Sequence, residues 1–551
     1  MKKVLTFLGL IIIFQSIFAQ GKPAELERPR LVVGIVVDQM RWDYLVRYSD
    51  RYGSGGFNRL MRDGYNCNRL LINYLPTVTA VGHTSVYTGS VPAFTGIIAN
   101  HMKIDGKWGS SVDDMSCQPL GTTSKVGQAS PHKLLVTTMT DELRLATNFR
   151  SKVIGVALKD RAAILPAGHS ANAAYWLDGE SMDFVSSSYY METLPKWVKD
   201  FNSKKLGKKY LEKVTKEKKG KGDPWALLYD EKTYVQSAPK GRPYEGKIGH
   251  TMMFSPYGNT YTLDMAQAAI EGEQLGHNPA GVPDFLAVSL SSTDMIGHEV
   301  GPNSIWIEDV YLRLDKELES FFNYLDRQVG KGEYVVFLTA DHAGSHNVEF
   351  RREHHLPAGT WPYYRMQKAI NEALRQQFAS SSDLVETLES NNVFFYDEAI
   401  AKVKPAGESF DSFKQKVKDA AIKWLTSQKQ VAYAFDCRHI PDYVPEPVRT
   451  MAINGYNPKR SGDIQIVLEA NHTEDYDDGY KVDWNGIVRG TNHSVWSPYD
   501  AHIPFVIMGK GVRHAWDNRT YHIVDIAPTI TALLNIQQPS GAVGDAIDVR
   551  K

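Results

Sequence analysis

Five short apolar runs, each followed closely by residues able to do chemistry, constrain this chain most. They are Leu31–Val37 and residues 152–158, 285–290, 334–338 and 503–508. Their length and β-branched content read as buried strands. Between some of them lie helical patterns. The clearest spans 305–329, where Val310, Leu314, Leu318, Phe321 and Leu325 share one face. Strands alternating with helices predict an α/β fold with a central, mostly parallel sheet flanked by helices. A second strand-like cluster, at 431–435 and 463–469, comes late, and residues 523–534 read as a closing helix. Residues of about 360–490 are therefore expected to be an elaboration inserted into the core.

The strand ends carry the informative residues. The first run ends at Asp38, the second at Lys159-Asp160-Arg161, the third leads to Asp294 and His298, and the fourth leads to Asp341-His342. In open α/β sheets ligands bind at the carboxyl ends of strands, so these residues should converge on one edge. Asp294 and His298 are spaced i,i+4 and would face the same way from a helix. Asp341 and His342 are adjacent, so their side chains are expected to diverge. Asp and His together suit a zinc ion, or manganese where carboxylates dominate.

The segment LPTVTAVGHTSVYTG, beginning at Leu75, turns helical after Pro76. Thr79 would then sit near a helix N-terminus, where unpaired N–H groups and the helix dipole favour an anion. A hydroxyl so placed can attack phosphorus if a metal lowers its pKa. The plainer alternative is that Thr77 or Thr79 only caps the helix. His83 reads as a packed helix residue.

Charge and targeting narrow the field. With a net charge of -1 over 551 residues, nothing marks a nucleic-acid binder, and any phosphate site must be a local concentration of positive charge. The lysine-rich stretch 204–221 reads as a solvated helix or loop, with a polyanion-binding patch as the alternative. The first 19 residues have Lys2 and Lys3, an apolar core and Ala19, the pattern of a signal peptide. The remaining chain, 20–551, is expected to be exported to the periplasm or beyond. Outside the cytoplasm a pair among Cys67, Cys117 and Cys437 could be bridged, leaving one free.

Taken together, the segments VVDQMRWDYL from Val36, LPTVTAVGHTSVYTG, GIIAN ending at Asn100, LKDRAAILPAGH from Leu158, SSTDMIGH from Ser291, TADHAG from Thr339 and GTNHSVWSPYD from Gly490 resemble the alkaline phosphatase superfamily. The resemblance is to its PafA-type periplasmic, phosphate-irrepressible branch, with nucleotide pyrophosphatase/phosphodiesterases as cousins. It implies an alkaline-phosphatase-like core and two zinc ions. One ion would be held by Asp294, His298 and His493. The other would be held by Asp38, Asp341 and His342, with the Thr79 oxygen alongside. It also implies Thr79 as the nucleophile and Asn100, Lys159 and Arg161 as contacts to phosphate oxygens. The family often has glycine after the last histidine, where this chain has Ser494.

The expected activity is hydrolysis of small phosphate monoesters through a phosphothreonine intermediate, by a monomer with neither nucleic acid nor membrane as a dedicated partner. Lys159 and Arg161 favour a monoester, because its dianion carries one more charge than a diester. A phosphodiesterase or nucleotide pyrophosphatase on the same scaffold is the nearest rival. A sulfatase would need a Cys or Ser in a C/S-x-P-x-R context, which LPTVTAV lacks, and export argues against a phosphoglycerate mutase. A non-catalytic protein that binds metal and phosphate is the alternative from another class.

Overall fold

The computed structural model describes residues 28–217, 224–235, 249, 251–475 and 490–551. The expected leader at 1–19 lies outside the described residues. Among those described, no helix is long and apolar enough to cross a membrane.

The strand Leu31–Val37 is buried along its whole length. It lies between Tyr334–Thr339 and Asp284–Leu290 and runs parallel to both. Val153–Ala157 extends the parallel set beyond Asp284–Leu290. All four are continuous apolar runs because helices cover both faces of such a sheet. The register pairs Val36 with Thr339 and Val37 with Leu290, and Ala157 with Ser289. Four carboxyl ends therefore stand level.

The last core strand, His502–Gly509, runs antiparallel to Tyr334–Thr339, with Phe505 opposite Thr339. Its direction has a consequence. The GTNHSVWSPYD segment precedes the strand, so the strand must begin at the edge where the others end. Among the described residues the sheet has ten strands. Helices Tyr257–Glu273 and Ile305–Leu325 pack together as one group, and Thr79–Thr88, Asp160–Ala167 and Ile526–Leu534 belong to another. The predicted long helix ends at Leu325 and gives way to one π turn, Asp326–Gly330. Its predicted face is fully buried.

A separate four-stranded sheet is built from Val385–Thr387, Asn392–Phe395, Ile464–Leu468 and Val431–Asp436. Helices Tyr363–Phe378 and Phe410–Thr426 join it around a second apolar core that includes Trp361, Ile370, Val417 and Ile466. The lysine-rich stretch forms the helix Leu206–Glu217, with Lys208 and Lys209 exposed and Lys213 over the Tyr257 ring at 4.4 Å. All three cysteines are buried and unbridged. Cys67 lies in the main sheet, Cys437 beyond the end of a strand of the second sheet, and Cys117 in a loop beside Asp114, so the chain's own elements hold them apart.

Candidate active site at the sheet edge

Asp38 follows its strand directly, and its N–H donates to the Leu290 carbonyl at 3.2 Å. Asp294 and His298 lie on the helix Ser292–Val300, with His298 Nε2 3.2 Å from Asp294 Oδ1. This is the face-sharing that i,i+4 spacing requires. Asp341 and His342 follow the Tyr334–Thr339 strand. Their side chains do not diverge: His342 Nε2 is 3.5 Å from Asp341 Oδ2. The expectation of divergence came from strand alternation, and the chain has already left the strand at these two residues.

Thr79 is the first residue of the helix Thr79–Thr88. The capping residue is Val78, with no side-chain cap, so neither threonine serves as the cap. The Thr77 hydroxyl instead donates to the Val495 carbonyl at 3.2 Å. Asn100 Oδ1 accepts from the Ala80 N–H at 2.8 Å, which brings Asn100 to the helix terminus beside Thr79. A Cβ on Gly82 would stand 2.1 Å from the Asp341 carbonyl oxygen. Glycine is what lets the Thr79 helix press against the Asp341 loop.

The histidines are ordered by backbone carbonyls. Nδ1 of His493 lies 2.7 Å from the Thr77 carbonyl, that of His342 3.0 Å from Ala343, and that of His298 3.2 Å from Thr491. A carbonyl only accepts, so each Nδ1 carries a proton and Nε2 is the atom each ring turns toward the carboxylates. Burial pushes the pKa of His342 down, and for His493 burial is reinforced by the imidazoles of His342 and His298. A lowered pKa favours the neutral ring at both positions, the form in which imidazole binds metal. His83 is different. Nδ1 meets the Thr79 carbonyl at 2.9 Å and Nε2 meets Ser289 Oγ at 2.8 Å. Both nitrogens are engaged, as expected of a packed residue, and the ring also lies 3.2 Å from Asp341 Oδ2.

Lys159 sits at the cap of the helix Asp160–Ala167. Its ammonium reaches Asp38 Oδ2 at 2.7 Å and Asp294 Oδ2 at 2.6 Å. Burial alone would lower its pKa, but these two carboxylates raise it. Asp294 is held well below the usual carboxylate range; burial opposes this, and His298 and Lys159 outweigh it. Asp341 is also held down against burial, by His342 and His83. Asp38 goes the other way, raised by burial and by the Asp341 charge. Arg161 stands at the rim with its side chain 24% exposed.

Two triples of donor atoms each lie within 4.8 Å of one another: Asp38, Asp341 and His342, and Asp294, His342 and His493. The compact triple around Asp294 takes His342 where His298 was expected; His298 stays in contact through Asp294, its ring 4.9 Å from that of His493. Asp38 Oδ1 and His342 Nε2 are buried without hydrogen-bond partners, only 3.6 Å apart. Buried polar atoms are almost always paired. Three buried carboxylates facing one ammonium are short of positive charge, and oxygen and imidazole donors suit divalent cations. The residues fit a metal centre.

Some supporting residues escaped sequence reasoning. Asp500 accepts from the Ser345 hydroxyl at 2.8 Å and from the Val495 N–H at 3.2 Å, joining the loops that carry His342 and His493. Ser494 has φ 85°, a left-handed backbone that glycine would adopt at least cost. Gln39 touches both ligand sets; its only sequence signal was its place next to Asp38.

A family model for type I phosphodiesterase / nucleotide pyrophosphatase matches residues 32–495. The chain is 44% identical to alkaline phosphatase PhoV of Synechococcus elongatus over 99% of each chain. It is also 44% identical to alkaline phosphatase PafA of Elizabethkingia meningoseptica, over 98% of this chain and 97% of that one. A crystal structure of wild-type alkaline phosphatase PafA superposes with a TM-score of 0.86 at 42% identity, over 97% of this chain and all of the other.

Proposed function

This chain belongs to the type I phosphodiesterase / nucleotide pyrophosphatase family and hydrolyses phosphate monoesters, and we propose that it does so as an exported alkaline phosphatase with Thr79 as nucleophile beside two zinc ions. The observation that carries this reading is the meeting, at one sheet edge, of a helix N-terminus bearing Thr79, whose own N-cap residue makes no side-chain bond, with buried Asp and His atoms that lack partners. Asp294, His298 and His493 would hold one ion, and Asp38, Asp341 and His342 the other. Bound zinc supplies Lewis acidity, which lowers the proton affinity of a hydroxyl and neutralises a departing oxyanion.

The chain's own residues do the rest. The helix terminus presents Thr79 Oγ to phosphorus, in line with the leaving group. The phosphorus–oxygen bond to the leaving alcohol breaks as the bond to Thr79 forms, giving a phosphothreonine. Water then attacks from the vacated side and returns Thr79, so two in-line displacements retain configuration. Asn100, whose carbonyl is held by the Ala80 N–H, is left with its amide N–H groups to donate to a phosphoryl oxygen. Lys159 supplies a point charge and Arg161 a planar fork. With little covalent work required, positioning and charge dominate the rate.

Residues 1–19 would direct export to the periplasm or beyond. Residues 20–551 would act as one catalytic domain, with an inserted subdomain at about 360–490, and as a monomer. The family description favours a second reading, a phosphodiesterase or nucleotide pyrophosphatase. Comparing kcat/KM for an aryl phosphate and its methyl diester decides between them. The wild type should prefer the monoester. Arg161→Ala should lower monoester turnover about 10- to 100-fold, the loss of a charge-assisted hydrogen bond, and diester turnover much less. Equal losses on both substrates would refute the role given to Arg161.

A further inference from the structure

Gln39 is the residue after Asp38, and its backbone has φ 64°. That left-handed conformation is uncommon for a residue with a long side chain and costs free energy unless its surroundings hold it. The surroundings do. The Gln39 N–H donates to Asp341 Oδ1 at 3.2 Å, and its side-chain Nε2 donates to Asp294 Oδ1 at 2.7 Å. One residue thus grips a carboxylate of each ligand set, one with its main chain and one with its side chain.

The slot that holds the side chain is made by two glycines. A Cβ on Gly297 would lie 2.0 Å from Gln39 Oε1, and one on Gly344 would lie 3.0 Å from it. Gly297 belongs to the helix that carries Asp294 and His298, and Gly344 to the loop after Asp341 and His342. Gln39 is 6% exposed, wedged between the two elements that present the ligands. His342 N–H also donates to Asp341 Oδ1 at 3.0 Å. With Oδ1 so occupied, Asp341 keeps Oδ2 toward the cluster. On the other side, Gln39 Nε2 fixes the rotation of the Asp294 carboxylate.

We propose that Gln39 is a positioning residue that ties the two ligand sets together and couples the binding of one cation to the other. The inference rests on the two-metal reading above. Moving Asp294 moves the Gln39 amide, and through its strained backbone the N–H that holds Asp341. A cation at either set therefore preorganises the other set.

The test is zinc binding by the full chain, read by elemental analysis and by chelator competition, with circular dichroism and thermal unfolding as folding checks. The wild type should hold two zinc ions per chain and release them in a single step. Fewer than two would overturn the two-metal reading, and this inference with it. Gln39→Gly keeps the N–H to Asp341, relaxes the backbone and removes the arm to Asp294. It should still hold two ions but release them in two steps, each held more weakly than in the wild type and the pair together about 10- to 100-fold more weakly, because a coupling lost to one ion is lost equally to the other. Single-step release at wild-type affinity, or weakening of one ion with the other left at wild-type strength, would sink the coupling role while leaving two metals standing. If Gln39→Gly does not fold, Gln39→Glu is read by the same criteria, since it keeps the shape and sets an oxygen against Asp294.

Discussion

The catalytic edge and the second sheet both bury polar groups, but they do so on opposite terms. In the second sheet Asn371 and Lys418 are satisfied, although Trp361 Nε1 in the same core is not. Asn371 accepts from the N–H groups of Leu384 and Val385 and donates to the Val385 carbonyl. Lys418, almost fully buried, is paired with Asp436. At the catalytic edge Asp38 Oδ1 and His342 Nε2 find no partner, and Gln39 and Ser494 hold left-handed backbones. Closed pairing is what a structural element needs. Carboxylate and imidazole atoms left open 3.6 Å apart, beside strained backbone, mark where the molecule gives up stability for chemistry.

The contrast can be broken by substitution. Thr79→Ala should lower kcat/KM for an aryl phosphate by at least about a thousand-fold and abolish labelling of the protein by a radioactive substrate, with an unchanged unfolding curve. Survival of the label would remove Thr79 as nucleophile. In the second sheet, Lys418→Met strands the Asp436 carboxylate and should cost about 3 kcal/mol of stability, read by urea unfolding. Turnover per folded molecule should not change. A loss of turnover without a loss of stability would erase the distinction between the two regions.

An effect confined to alkaline pH should appear at Glu474, in the strand His472–Asp475. Burial, then the Glu389 charge, pushes its pKa from 4.5 up to about 8, and its Oε1 has no partner. The folded state therefore binds a proton that the unfolded state has lost between these values. Its contribution is complete below about pH 4.5 and is lost as pH rises through 8. Glu474→Gln should flatten that part of the stability–pH curve, raising stability at alkaline pH by a few kcal/mol. Parallel curves for the two proteins would mean Glu474 is ionised in the fold.

Much of the fold and of the site is legible in the amino-acid sequence. The five strands fall where the apolar runs lie, within one residue at each end, because burial on both faces writes itself directly into composition. Asp38, Lys159, Asp294, Asp341 and His342 stand at the strand ends for the same local reason. His493 was reachable only through the resemblance, since no spacing rule connects a residue to a partner 416 positions away. Supporting contacts such as Asp500 to Ser345 left no trace at all.

The sequence by itself determined which segments are strands, which residues end them and which segments carry the family's motifs, since these depend on local periodicity and chain order. The tertiary structure decided the rest. It set the antiparallel course of the last core strand, the turning of Asp341 and His342 toward one cluster, the place of His342 in both donor triples and the grip of Gln39 on both carboxylates. The physical reason is range. Strand and helix propensities act over a few residues, whereas hydrogen bonds and charges act through space between residues hundreds of positions apart, and only packing says which of them meet.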